Sequence, residues 1–247
     1  MRKNYKISII TVTKNSEKFL EENILSVANQ TYNNYEHIII DGKSTDKTLS
    51  IIKKHEDKIA YWRSEEDSGL YDAMNKGIDR TTGDIIGILN SDDVYFNDAL
   101  QIVNQYFGSI EDLDFLFGSV YKRKLLTGYN PRKIKWSFGF YTTHSVGFFI
   151  KKKSQLKVGY YNLKYKYSSD YDLFYRMIVN KKMKGTATTK DEIFGNFRPG
   201  GISSNLRFKD FLYENNKIRI DNGQNKFFVY LIFLIRVIKN IKSFISG

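Results

Sequence analysis

The chain has 247 residues, no cysteine, three histidines and a formal net charge of +12 at neutral pH. Without cysteine there is no disulfide scaffold, thiolate zinc site, iron–sulfur cluster or thiol nucleophile. Hydrophobic residues make up 41% and charged residues 27%, a globular composition, and the excess of Lys and Arg favours polyanions: nucleic acid, anionic lipid or phosphorylated ligands.

The first half alternates strand and helix. Residues 7–12 are short and β-branched and read as a strand. Ser8 and Thr11 interrupt this run and no small-residue cleavage site follows, so it does not read as a secretory leader. Residues 17–30 carry Phe19, Leu20, Ile24, Val27 and Ala28 at helical spacing. Strands are predicted at 35–40, 59–62, 85–89 and 114–117, and helices at 45–55, 70–78 and 98–107. Ser44 or Thr45 is a natural N-cap for the first of these helices. Such an order implies an α/β fold with a mostly parallel sheet and helices on both faces. Ligands of such sheets gather beyond the carboxyl ends of the strands. Polar clusters stand at three of those ends: Thr11/Thr13/Asn15, Asp41/Gly42/Ser44/Asp46 and Asn90/Asp92/Asp93.

The second half is less regular. Residues 121–141 are basic and aromatic, 146–150 read as a strand, and 170–179 as a helix capped by Ser168 or Ser169. Residues 197–204 form a turn-rich loop. Residues 227–235 are an unbroken apolar run, followed by Arg236, Lys239 and Lys242 interleaved with Val237, Ile238, Ile241 and Phe244. This is too short to span a bilayer, which takes about 20 apolar residues. An amphipathic helix there suits either an anionic membrane surface or packing on the domain itself.

Taken singly, each motif has a plain structural explanation. Asn90-Ser91-Asp92-Asp93 can be a turn, or two carboxylates for a hard divalent cation. Asp41 can close a turn or accept hydrogen bonds from a nucleobase or ribose. Asp72, Asn75 and Lys76 share one helical turn, as either a solvated face or a ligand-facing one. Asp170 opens a helix, where the dipole favours a carboxylate as a cap.

In combination, the runs Ser8-Ile-Ile-Thr-Val-Thr, Asp41-Gly-Lys-Ser-Thr-Asp, Asp67-Ser-Gly-Leu-Tyr-Asp-Ala-Met-Asn-Lys-Gly, Gly83-Asp-Ile-Ile-Gly-Ile-Leu-Asn-Ser-Asp-Asp and Ser169-Asp-Tyr-Asp-Leu resemble a family 2 glycosyltransferase of GT-A fold. The resemblance covers residues 5 to 205, and His144, Val158-Gly159 and 198–204 are similar to the branch that builds bacterial capsule, O-antigen and exopolysaccharide. It implies a GT-A domain over 1–205, with a nucleotide-sugar half at 1–118 and an acceptor half at 119–205, followed by a helical segment at 206–247. It implies inverting transfer from a nucleotide-diphosphate sugar, with a leaning to UDP, onto a glycan or polyprenyl-diphosphate-linked acceptor. Thr11, Thr13, Asp41, Asp72, Asn75 and Asp92 are the implied nucleotide-sugar contacts. Asp92 and Asp93 are the implied site for Mn²⁺ or Mg²⁺, and which of the two ligates directly is open. Asn90 stands where the family often has Asp. Asp170 is the implied catalytic base, and His144 a contact to diphosphate or acceptor. The implied location is cytoplasmic, peripheral on the inner face of the membrane.

Four other readings compete. A dinucleotide enzyme lacks its glycine fingerprint, since Thr13-Lys14-Asn15-Ser16 follows the first strand, and a P-loop lacks its upstream glycine. A nucleic-acid-binding module suits the charge and aromatics, but acidic clusters at the strand ends would repel phosphate, so no nucleic-acid partner is expected. A catalytically degenerate GT-A-like binding protein draws on Asn90 alone.

Overall fold

The computed structural model describes residues 3–136, 139–200 and 207–241. Phe138, the loop residues Gly201, Ile202, Ser203 and Ser204, and the basic and apolar residues Lys242 and Phe244 lie outside the described residues.

The first half follows the expected alternation: β1 (Ile7–Thr13), α1 (Leu20–Ala28), β2 (Tyr35–Asp41), α2 (Thr48–Lys54), β3 (Tyr61–Ser64), α3 (Leu70–Arg80) and β4 (Ile85–Ile88). A short β5 (Val94–Tyr95), α4 (Ala99–Ser109) and β6 (Phe115–Phe117) follow. The second half holds β7 (Ser119–Lys122), β8 (Lys124–Leu126), a 3₁₀ turn (Pro131–Lys135), β9 (Phe148–Lys151), α5 (Lys152–Val158) and α6 (Ser169–Tyr175). It ends with β10 (Gly185–Ala187), β11 (Ile193–Asn196), α7 (Phe208–Asp221) and α8 (Lys226–Lys239).

Among the described residues one seven-stranded sheet runs β10-β6-β9-β4-β1-β2-β3. β1 pairs in parallel with β2 and β4, and β2 with β3. β9 lies antiparallel between β4 and β6, so the sheet is mixed at that point and mostly parallel elsewhere. A second sheet, β5-β11-β7-β8, covers the end of the first.

The period of two along β1 and β2 divides the core. Ile10, Val12, Ile38 and Ile40 pack with α3 and α6, through Met74, Ile78, Leu173 and Phe174. Ile7 and Ile9 pack on the other side with Val27, Leu100, Val103 and Phe107 of α1 and α4. A helix on each face follows, because strands apolar on both sides must be covered twice. Gly77 lets α3 lie close on β1: a Cβ there would run into the Ile10 side chain.

The structure departs from the sequence expectation in four places. α2 begins at Thr48, because Asp46 Oδ1 accepts from the Thr48 amide at 3.0 Å while Ser44 is held by Asp41. β3 starts at Tyr61, because Ile59 is drawn into the cluster of Leu20, Ile24 and Ile52. α6 ends at Tyr175 and passes into a π-helical turn at Arg176–Asn180. The second sheet and α5 carry too few residues each to show a period.

α7 is integral to the fold. Its Ile218 joins the α3–α6 core, and its Asn215, Asn216 and Arg219 are all buried. Among the described residues no helix is long and apolar enough to cross a membrane.

Candidate active site

The loops at the carboxyl ends of β1, β2 and β4 are tied to one another. Gly42 N donates to Thr13 O at 2.8 Å, and Asn15 N donates to Ser44 Oγ at 2.8 Å. Ser16 and Ser91 hydroxyls meet at 2.8 Å. Asn23 of α1, fully buried, donates to the carbonyls of both Asn90 and Asp93 at 2.9 Å. Asn15 and Lys43 take left-handed backbone (φ 51° and 59°), which lets these loops turn sharply beyond the sheet.

Within this frame the six implied nucleotide-sugar contacts separate. The Thr11 hydroxyl is enclosed between Asn23 Oδ1 (3.1 Å) and His37 Nε2 (2.9 Å). Burial pushes His37 down to about 3, so the ring is neutral there. Asp41 accepts from Ser44 N, Ser44 Oγ and Ser64 Oγ, and both its oxygens shape the β2 loop. Asn75 is turned away from the strand ends: its amide donates to Tyr161 O and accepts from Tyr161 N, both at 2.9 Å. Asp72 accepts from Ser68 N and faces Lys76. By contrast Thr13 Oγ1 and Asn90 Oδ1 are buried with no hydrogen-bond partner among the described residues. Buried polar atoms are nearly always paired, so two orphans on neighbouring strand ends point to a group supplied from outside.

The acidic pair also divides. Asp93 is 1% exposed; its Oδ2 accepts from Ser145 Oγ at 2.5 Å and its Oδ1 from Arg198 N at 2.8 Å. Burial, with the Asp92 charge beside it, pushes Asp93 up to about 7. Asp93 therefore pins the Ser145 turn and the Arg198 segment to the end of β4. Val146, next to that turn, is β-branched yet sits at φ 68°, a strained conformation held by its full burial. Asp92 is half-buried and raised by burial, and among the described residues no other residue donates a hydrogen bond to its carboxylate. It is the open carboxylate of the pair. No group of three or more His, Asp and Glu is assembled among the described residues, so a cation here would need further oxygens from its ligand. One carboxylate plus phosphate oxygens and water fits the way Mg²⁺ and Mn²⁺ are commonly held.

Asp170 stands on the other side, at the start of α6. Tyr71 of α3 donates to its Oδ1 at 3.1 Å, its following amide donates to the same oxygen at 2.8 Å, and Tyr141 donates to Oδ2 at 3.3 Å. Burial holds both tyrosines well above the ordinary phenol range, so both stay protonated and able to donate, with the Tyr71 proton shared between Asp170 and the Tyr167 carbonyl at 3.0 Å. His144 lies against Phe148 and Phe174, with Nε2 2.7 Å from Tyr161 Oη. Burial lowers its pKa and the nearby Asp170 charge partly offsets that. Thr142 Oγ1 and Ser168 Oγ, flanking this cluster in sequence, are further buried atoms without hydrogen-bond partners among the described residues.

Several organising residues are invisible in the sequence motifs. Asn23 and Ser145 hold the Asp93 end, and Tyr141 holds Asp170 from 29 residues away. Tyr71 lies inside the run 67–77, so its motif was the one available signal.

Comparison with known proteins gives a consistent result. The profile of the family described as Glycosyl transferase family 2 matches residues 8–176. A PGL/p-HBAD biosynthesis glycosyltransferase of Mycobacterium bovis is 28% identical over 222 residues, spanning 83% of this chain and 82% of the relative. The fold is also that of S. aureus TarS: a crystal structure of residues 1–349 with UDP-GlcNAc superposes with TM-score 0.72 at 18% identity, covering 95% of this chain and 73% of that one. Against another TarS crystal structure the chain spans 43% of the partner's length. The mannosyltransferase PcManGT of Pyrobaculum calidifontis, solved with GDP-Man and Mn²⁺, gives TM-score 0.63 at 16% identity, covering 89% of this chain and 63% of that one.

Proposed function

The chain belongs to glycosyl transferase family 2, and from that membership we propose that it is an inverting, metal-assisted glycosyltransferase using a UDP-sugar. The observation that carries this reading is the pairing of two unlike sites. Thr13 Oγ1 and Asn90 Oδ1 are buried without a hydrogen-bond partner among the described residues, the half-buried Asp92 carboxylate lies beside them, and Asp170 is held by two tyrosines on the other side.

Asp170 takes the proton of the acceptor hydroxyl as that oxygen attacks the anomeric carbon from the side opposite the leaving diphosphate. One displacement of this kind inverts the configuration. Tyr71 and Tyr141 fix the carboxylate by hydrogen bonds to both of its oxygens. Asp172 supports α6 instead: its oxygens accept from Arg176 Nε at 2.8 Å and Asn222 Nδ2 at 2.8 Å. Thr13 and Asn90 contact the donor, and Asp92 is the protein's ligand to Mn²⁺ or Mg²⁺. When bound, that ion offsets the charge building on the leaving phosphate. Asp93, with Ser145 and Arg198, keeps Asp92 in place.

The TarS complex with UDP-GlcNAc supports a UDP-sugar as donor, and PcManGT with Mn²⁺ supports the metal. The acceptor in this reading is a glycan or a polyprenyl-diphosphate-linked glycan of a bacterial surface polysaccharide, met at the inner membrane face. The acceptor half in this reading is 119–205, and α7 beyond it packs into the same core through Ile218.

Calorimetric titration with UDP, GDP, dTDP and CMP, each with and without Mn²⁺, tests the donor side. Metal-dependent binding of UDP above the others is the expected result. No binding of any nucleotide with metal present overturns it.

A further inference from the structure

α8 turns its apolar side outward. At about 100° per residue, Phe227, Tyr230, Leu231, Leu234, Ile235 and Ile238 fall on one arc of the helix. Phe227 is 72% exposed, Ile238 70% and Leu234 56%, whereas Val229 and Ile232 on the opposite side are buried. Trp136, 55% exposed, extends this surface, with its ring 6.5 Å from that of Phe228. Isolated exposed apolar residues are ordinary, but a continuous face of this kind marks an interaction surface.

The charges around it select the partner. Lys226 and Lys239 fall at the two edges of the arc, and Arg132, Lys133 and Lys135 lie exposed on the adjoining segment. The whole chain carries +12. A second copy would bring these cations against their own kind. An anionic lipid surface would neutralise them. A helix of 14 residues is about 21 Å long at 1.5 Å per residue, short of the hydrocarbon core, so it lies in the interface and does not cross.

This surface is connected to the proposed base. Three successive carbonyls of the 3₁₀ segment and its end accept hydrogen bonds from different elements. Ile134 O accepts from Tyr171 Oη (2.7 Å), Lys135 O from Gln224 (3.2 Å) and Trp136 O from Arg236 (2.6 Å). Tyr171 follows Asp170 on α6, and Arg236 belongs to α8. One segment thus joins the outward helix to the helix that carries the base.

We propose that α8 and Trp136 form an interfacial face that seats the protein on an anionic lipid bilayer, holding the Asp170 side next to the surface that presents its acceptor. The lipid contact stands on the exposed face and its charges; only its purpose rests on the transferase reading.

Flotation of the full chain with vesicles tests it. The expected result is co-flotation with phosphatidylglycerol/phosphatidylcholine vesicles and at least about tenfold weaker binding to phosphatidylcholine alone. The double substitution Leu234→Ser/Ile238→Ser, at exposed positions, should abolish flotation without lowering the melting temperature. Lys226→Ser/Lys239→Ser should weaken it and reduce its salt sensitivity. Equal binding to both vesicle types, or none to either, overturns the proposal. So does a concentration-dependent dimer in sedimentation that the Leu234/Ile238 variant dissociates, because the face would then belong to a second copy. UDP titration of the same samples separates the two readings: lost nucleotide binding with flotation intact counts against the transferase alone and leaves the lipid face supported.

Discussion

The two sides of the candidate site are built differently. The proposed donor side is assembled from the ends of three adjacent parallel strands, and its loops are joined by short polar contacts such as Gly42 to Thr13 and Ser16 to Ser91. The proposed acceptor side is assembled from side chains far apart in sequence, with Tyr71, Tyr141 and Asp170 brought together by packing of α3, α6 and the 3₁₀ region. The first therefore depends on sheet register, and the second on the aromatic core beneath it. A substitution on one side should change binding of the nucleotide, and one on the other should change turnover.

The largest expected effect is at Asp170. Asp170→Asn should lower transfer by about 10³-fold, within the usual range for a lost general base, while UDP affinity stays within about twofold. Steady-state kinetics with parallel calorimetry reads both numbers, and unchanged turnover would remove the base assignment.

Asp92→Asn should act on the opposite side. Metal-dependent UDP affinity should fall about tenfold or more, about 1.4 kcal/mol, with metal-independent binding little altered. Equal affinity with and without Mn²⁺ in the parent protein would break the comparison here.

Asn75→Ala sharpens it further. Asn75 is implied by family resemblance as a nucleotide-sugar contact, yet its amide is bound on both ends to the Tyr161 backbone. The geometry predicts a roughly three- to tenfold fall in kcat from the loss of both hydrogen bonds to Tyr161, with UDP affinity unchanged. A selective loss of UDP affinity would return Asn75 to the donor side.

The smallest effect on activity is expected at Glu36, at the amino ends of the strands. Burial alone would raise Glu36, but hydrogen bonds from Lys6, Ser8 and Thr82 overcome it and hold it at about 2. Its ionised form is thus favoured by folding. That stability is fully present above the unfolded value of 4.5 and is lost as pH falls through about 2. Glu36→Gln should destabilise the protein by about 2 kcal/mol at pH 7, with the difference shrinking below pH 4.5 and closing as the pH nears 2, and leave UDP affinity intact. Thermal melts from pH 7 to pH 3 follow this directly.

Much of the donor half was legible in sequence. β-branched runs such as 7–12 and 35–40 can only be covered strands in a chain that alternates with amphipathic helices, and polar residues at their ends mark a ligand edge. The motif residues did not reveal which of them face outward. Thr11 and Thr13 are one strand pleat apart on the same face, yet Thr11 is closed off by Asn23 and His37 while the Thr13 hydroxyl has no hydrogen-bond partner among the described residues. Asp92 and Asp93 are adjacent, and the turn between β4 and β5 sends one to Ser145 and Arg198 and leaves the other half-buried without them. The second sheet was illegible because its strands run only two to four residues and are stabilised by partners distant in the chain.

α7 and α8 show the limit of composition most directly. They are equal in length and adjacent, and polarity alone would bury α8 and expose α7. The structure instead buries Asn215, Asn216 and Arg219 of α7 and exposes most of the apolar residues of α8. The sequence by itself determined the α/β class, the strand-end clusters, the acidic residues available for chemistry and the presence of an apolar, cationic last helix. Local pattern suffices for these, because period, charge and turn chemistry are properties of neighbouring residues. Only the tertiary structure decided which carboxylate is anchored and which is open, which tyrosines hold Asp170, and which way α8 faces. Each of those depends on groups 29 to 105 residues apart, whose meeting is set by packing and not by spacing along the chain.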